Sequence, residues 1–174
     1  MPGASQIEDL DRGARQFLAA LKRAKITIEV GLLDGTAADQ EHNAPKGKIG
    51  KFLRKAAGTS RLTVREIGAI HELGLGVPKR SFIAAWVDED ASAINYQLTN
   101  MGKGLVRKNN PVPLETLANQ FGLWSVGRIQ QRISDGIDPP LAPSTIARKG
   151  SSTPLINTGQ LRSSITYRLL EGLR

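Results

Sequence analysis

The chain has 174 residues, 40% of them hydrophobic, 23% charged and 5% aromatic, with a formal net charge of +8 and a pI near 10.1. This fits one globular domain whose modest core leans on Leu, Ile, Val and Ala rather than on rings. The lack of cysteine excludes disulfides and thiolate metal sites, and the basic balance admits nucleic acid, anionic membrane or an acidic protein surface as partner without choosing among them.

The N-terminal MPGASQIEDLDRG is polar and acidic, unlike a signal peptide. Residues 4–24 carry Ile7, Leu10, Ala14, Phe17, Leu18 and Leu21 at spacings of three and four, which predicts an amphipathic helix with Ser5 and Glu8 as a capping box. Ile26 to Leu33 alternates apolar and polar residues and predicts a half-buried strand. Residues 34–62 are polar and glycine-bearing, with room for a short helix over 51–57. They are expected to form an extended loop or arm.

Thr63 and Glu66 form a second capping box, opening a helix with Val64, Ile67 and Ile70 on its apolar face and Gly74 at its end. Ser81 is expected to cap a third helix, in which Phe82, Ile83, Trp86, Val87, Ile94, Leu98, Met101 and Leu105 keep helical spacing. Pro113 suits the start of a further helix, with Glu115 at its positive end and Gly136 closing it. Asp138-Pro139-Pro140 reads as a rigid extended linker within a loop or arm over 135–160. A short helix is expected from Pro143 to Lys149, ended by Gly150, and another through Leu161 capped by Asn157 or Thr158. Ile165, Tyr167 and Leu169 alternate as a closing strand. No apolar run approaches the ~20 residues of a membrane helix.

The chemistry-bearing motifs are incomplete. His71-Glu72 begins like a zinc-binding HExxH helix, but Leu75 stands where the second His belongs. Asp88, Glu89 and Asp90 point in different directions on a helix and read as a solvated acidic face. The glycines at 74 and 76 and the run Gly47–Lys51 lack the spacing of nucleotide loops, and Ser151 and Ser152 lack an elbow and a base. The expectation is a protein with no catalytic residues, no metal and no cofactor. Trp86 and Trp124 fall in or beside helical stripes and read as core. Tyr167 with Arg168 is the one hint of a base-stacking platform.

Two blocks of the chain resemble a known family. Thr145, Lys149 and Gly150, followed by Pro154-Leu155-Ile156-Asn157-Thr158-Gly159-Gln160-Leu161 and Ser164-Ile165, are similar to the C-terminal signature of the tail-completion (head–tail joining, or neck) proteins of long-tailed bacteriophages. This group is also described as virion morphogenesis or minor tail proteins. Upstream, Ile67 to Phe82 (IGAIHELGLGVPKRSF) resembles that family's helix, His-Glu-aromatic-Gly turn and Pro-x-Arg-Pro-Phe element. Leu73 replaces the usual aromatic, and Ser81 the second proline. The two blocks cover about a quarter of the chain and keep their order and spacing.

The resemblance implies a single tail-completion-like domain over residues 1–174, α+β, with amphipathic helices packed on a small mainly antiparallel sheet and long loops. It implies a structural virion protein of the neck, assembled in the host cytoplasm as a ring, usually a hexamer. Its partners would be its own copies, the tail tube or tail terminator protein and head connector proteins, with possible contact to phage DNA in the lumen and none to a membrane. Pro78, Arg80 and Phe82 would fix the turn and anchor the third helix, or simply stabilise the fold. Lys149, Gly150, Thr158, Gly159 and Leu161 would shape the C-terminal loop. Two rival readings stand beside it: a tail terminator that caps the tube, and a basic nucleic-acid-binding module whose affinity falls steeply with salt.

Overall fold

The computed structural model describes residues 26–42, 62–107, 110–149, 152–156 and 158–171. The expected helix over 4–24 and the short helix over 51–57 lie outside the described residues. The fold is α+β. Strand β1 (Ile26–Gly31) leads through a 3-10 turn (Ala37–Asp39) to β2 (Glu41–His42). Strand β3 (Leu62–Thr63) runs directly into helix α1 (Val64–Leu73). Then come α2 (Ala84–Glu89), α3 (Ala91–Leu105), α4 (Leu114–Asp135), α5 (Pro143–Lys149), α6 (Gln160–Ser163) and β4 (Thr166–Glu171).

The strands pair in two antiparallel ribbons. β1 joins β4, the first and last described strands, with Ile26 opposite Glu171 and Gly31 opposite Thr166. β2 joins β3, with Glu41 opposite Thr63. Directly opposed residues share a face. Ile28, Val30, Tyr167 and Leu169 therefore lie on one side of the β1–β4 ribbon, and Glu29 and Arg168 on the other. Helix α4 crosses the apolar side. Tyr167 sits against Gly122 of α4 and donates its hydroxyl to Asn119 Oδ1 at 3.0 Å.

The main core gathers Val64, Phe82, Trp86, Ile129, Ile133, Ile137, Leu161 and Ile165, with Val30, Leu32, Ile94 and Trp124 packed around them. Leu62, Ile67 and Ile70 form a second, smaller cluster. The Trp86 and Trp124 rings meet at 6.1 Å, the packing role expected of them.

Two local signals are realised as the residues suggest. Thr63 Oγ1 accepts from Glu66 N, Glu66 Oε2 accepts from Thr63 N, and Gly74 closes α1 in the left-handed region at φ 73°. Helix α4 starts after Pro113 with Glu115 in its first turn and stops at Gly136.

The structure also differs from the sequence reading. The expected third helix is two helices, because Asp90 leaves helical geometry at φ −94°, ψ 13°. The segment over 34–62 holds the 3-10 turn and β2, while the helix expected from Pro143 to Lys149 forms with those bounds as α5. Helix α6 begins after Gly159 in the left-handed region at φ 77°, with Thr158 Oγ1 reached by Gln160 N at 3.4 Å. Asn157, the other candidate cap, lies outside the described residues.

Candidate functional site

The two blocks that carry the family resemblance fold onto each other. Phe82, from the first, is fully buried, and Leu161 and Ile165, from the second, are each 3% exposed. All three belong to the main core. Leu161 and Phe82 meet over Gly68 of α1, where a Cβ would lie 3.4 Å from Leu161 Cδ1 and 3.5 Å from Phe82 Cζ. Pro154 is buried, and Leu155 beside it adopts φ 61° while packing on the core. A branched side chain in that region is costly and persists only where its surroundings hold it.

Arg80 is 5% exposed. Its Nε donates to Pro139 O at 2.8 Å and a terminal nitrogen to Pro140 O at 3.3 Å, tying the turn after α1 to the linker after α4. Burial pushes the guanidinium below its ordinary pKa. Pro78 and Thr158 are exposed, and Gly159 is half-buried. Lys149 ends α5, and Gly150 lies outside the described residues. Of the sequence-derived site residues, the structure thus brings Phe82 and Leu161 together and gives Arg80 a separate internal contact.

Glu72, half of the incomplete zinc motif, has a different task. Its carboxylate accepts from Ser81 Oγ (2.6 Å), Phe82 N (2.7 Å), Ala84 N (2.9 Å) and Ile83 N (3.1 Å). These are the free donors at the start of α2, so a side chain on α1 caps a helix that Ser81 was expected to cap alone. Ser81 Oγ does accept from Ala85 N at 3.1 Å. Burial pushes the Glu72 carboxyl up, but the hydrogen bonds from Ser81 and from the Ala84, Phe82 and Ile83 amides outweigh it. The net pKa is below the usual carboxylate value.

Within the acidic run, Asp88 is exposed, as expected, while Glu89 and Asp90 are engaged. Asp90 receives Arg128 Nε at 2.7 Å and its terminal nitrogen at 2.9 Å. Glu89 receives both ends of the Arg132 guanidinium. Arg128 and Arg132 are four apart on α4, a spacing that puts two cations on one face and was open to reading from sequence. What the sequence lacked was the break at Asp90, which is where the Asp90 carboxylate meets Arg128. The hydrogen bond from Arg128 holds the Asp90 carboxyl below its ordinary value, and that from Arg132 does the same for Glu89.

These two pairs line a cleft of about 630 Å³ together with Lys79, Trp86, Asp135 and Asp138. Among the described residues, no three His, Asp or Glu side chains gather as metal ligands, and no helix is long and apolar enough to cross a membrane.

The Tyr167–Arg168 hint of a stacking platform does not become one. Tyr167 lies on Gly122, and Arg168 points the opposite way to Glu29 Oε2 at 2.6 Å and Asp34 Oδ1 at 2.9 Å. Successive strand residues face opposite sides, so ring and cation cannot serve one surface.

No protein-family model, curated protein or solved structure matches the chain.

Proposed function

We propose that the chain is a structural virion protein that completes a phage tail and joins it to the head connector, acting as a ring around the DNA channel. The supporting observation is the meeting of Phe82 and Leu161 over Gly68, within one core that also holds Ile165. Two short motifs that resemble a family separately are weak evidence. Two such motifs that pack into one core behave as a single structural signature. A ring subunit presents different surfaces to its two neighbours, and rotation closes the assembly without a catalytic step. The net charge of +8 would steer the subunit toward acidic tube or connector surfaces.

The test is electron microscopy of particles made by a phage from which this gene is deleted, with the gene restored from a plasmid as control. Full heads lying apart from tails of normal length are expected. Tails of uncontrolled length would replace the joining role with that of a tail terminator. Normal infectious virions would remove a virion role altogether and turn attention to salt-dependent DNA binding.

A further inference from the structure

Helix α3 is weakly anchored for its length. Each of its fifteen residues keeps some exposure, and Tyr96 and Leu98 are 64% and 47% exposed. Its apolar contacts lie along one side only. Ile94 packs against the main core near one end, and Gly104 rests on Leu117 of α4 near the other, where a Cβ would come within 3.2 Å of Leu117 Cδ2. Few buried apolar groups are the mark of a segment that opens below the cost of global unfolding.

Both ends of α3 are joints. Asp90 at the start and Val106 at the end each leave helical geometry, at φ −94°, ψ 13° and φ −95°, ψ 9°. Gly102 and Gly104 weaken the last turn. At the Asp90 joint the bidentate contact from Arg128 fixes the side chain, and with it the angle at which α3 leaves α2. The neighbouring Glu89–Arg132 pair belongs to α2, so it keeps α2 on α4 whatever α3 does.

The α4 face beneath α3 is identified by its two ends, Leu117 under Gly104 and Arg128 on Asp90. Residues 117, 121, 124 and 128 recur at helical spacing on that face. Phe121 and Trp124 are in ring contact there, with centroids 5.6 Å apart.

We propose that α3 is an arm that swings off α4 as one unit, hinged at Asp90 and latched by the Asp90–Arg128 pair, so that its release uncovers the apolar strip of Leu117, Phe121 and Trp124. The buried residues Phe82, Ile129, Ile133 and Leu161 belong to other elements, so in the open form the core loses only the partly buried Ile94 from its edge. The arm does not depend on the joining role, and its test requires no phage.

Hydrogen exchange of the full chain, followed by mass spectrometry, reads the arm directly. Amides of α3 are expected to exchange at least about tenfold faster than those of α4. Arg128→Gln should speed α3 by a further factor of about two to five, the range of one exposed ion pair, and leave α4 unchanged. Salt at 1 M should act in the same direction on the native chain, because it screens the latch. The proposal is overturned if α3 and α4 exchange at one common rate, or if Arg128→Gln speeds both helices equally. An unchanged α3 rate in Arg128→Gln would overturn the latch.

Discussion

The ring of Tyr167 occupies the space that a side chain at position 122 would need. A Cβ on Gly122 would lie 2.2 Å from Tyr167 Cδ2 and 2.6 Å from its Cγ. The close approach seats α4 on the β1–β4 ribbon and lets the hydroxyl reach Asn119. Gly122→Ala gains about 1 kcal/mol of helix propensity. It also forces the ring aside, at about 1–3 kcal/mol for overpacking and about 1 kcal/mol for the hydrogen bond. A net loss of about 1–3 kcal/mol in urea unfolding is expected. Gly127→Ala, on the exposed face of the same helix with nothing within 4 Å, should be neutral or stabilising by up to about 1 kcal/mol. Equal stability of the two variants would refute the contact.

Glu72 predicts a pH dependence. Its folded pKa is below that of the unfolded chain, so the stability it contributes is complete above about pH 4.3 and is lost as pH falls through the folded value. Glu72→Gln should lower stability by about 1–2 kcal/mol near pH 6. The difference between wild type and variant should then shrink as pH falls from about 6 through and below about 4.3. The check is the urea midpoint of both proteins across that range. A difference that is constant with pH would mean that the carboxylate charge is not what caps α2.

The contrast between Thr63 and Glu72 shows what the sequence could reveal. The Thr63–Glu66 box is local, three residues wide, and was legible. So were β1, the start of α4 after Pro113 and the closing strand, where periodicity or a turn residue states the element. Glu72 acts nine to twelve residues away across a turn, a reach that no local motif states. The break at Asp90 was hidden for a related reason. Ile83 to Leu105 keeps a helical period throughout, and tertiary pairing to Arg128 and Arg132 accompanies the break. The family resemblance marks Arg80, whereas its two carbonyl partners lie 59 and 60 residues away and follow no local rule.

Phe82 and Leu161 should be energetically coupled. Both border Gly68, and both sit in the main core. Singly, Phe82→Ala is expected to cost about 3–5 kcal/mol and Leu161→Ala about 2–5 kcal/mol. Milder Phe82→Leu and Leu161→Val changes keep the protein folded for a double-mutant cycle. An interaction energy of at least about 0.5 kcal/mol is expected. Additivity within error would separate the two blocks and remove the observation that supports the joining role.

Arg80 separates a role in the fold from a role in contact with partners. Buried as a residue, with its guanidinium bonded to Pro139 O and Pro140 O, it holds the α1–α2 turn against the linker after α4. Arg80→Ala leaves both carbonyls without that donor, at about 2–3 kcal/mol, which for a domain of this size lowers Tm by roughly 5–10 °C. Arg80→Lys keeps the charge but cannot fork to two acceptors, so it should fall between the wild type and Ala. In a phage carrying Arg80→Ala, loss of infectivity should follow loss of folded protein and recover at lower temperature. A variant that keeps its Tm yet fails to yield joined particles would show that Arg80 acts on a partner instead.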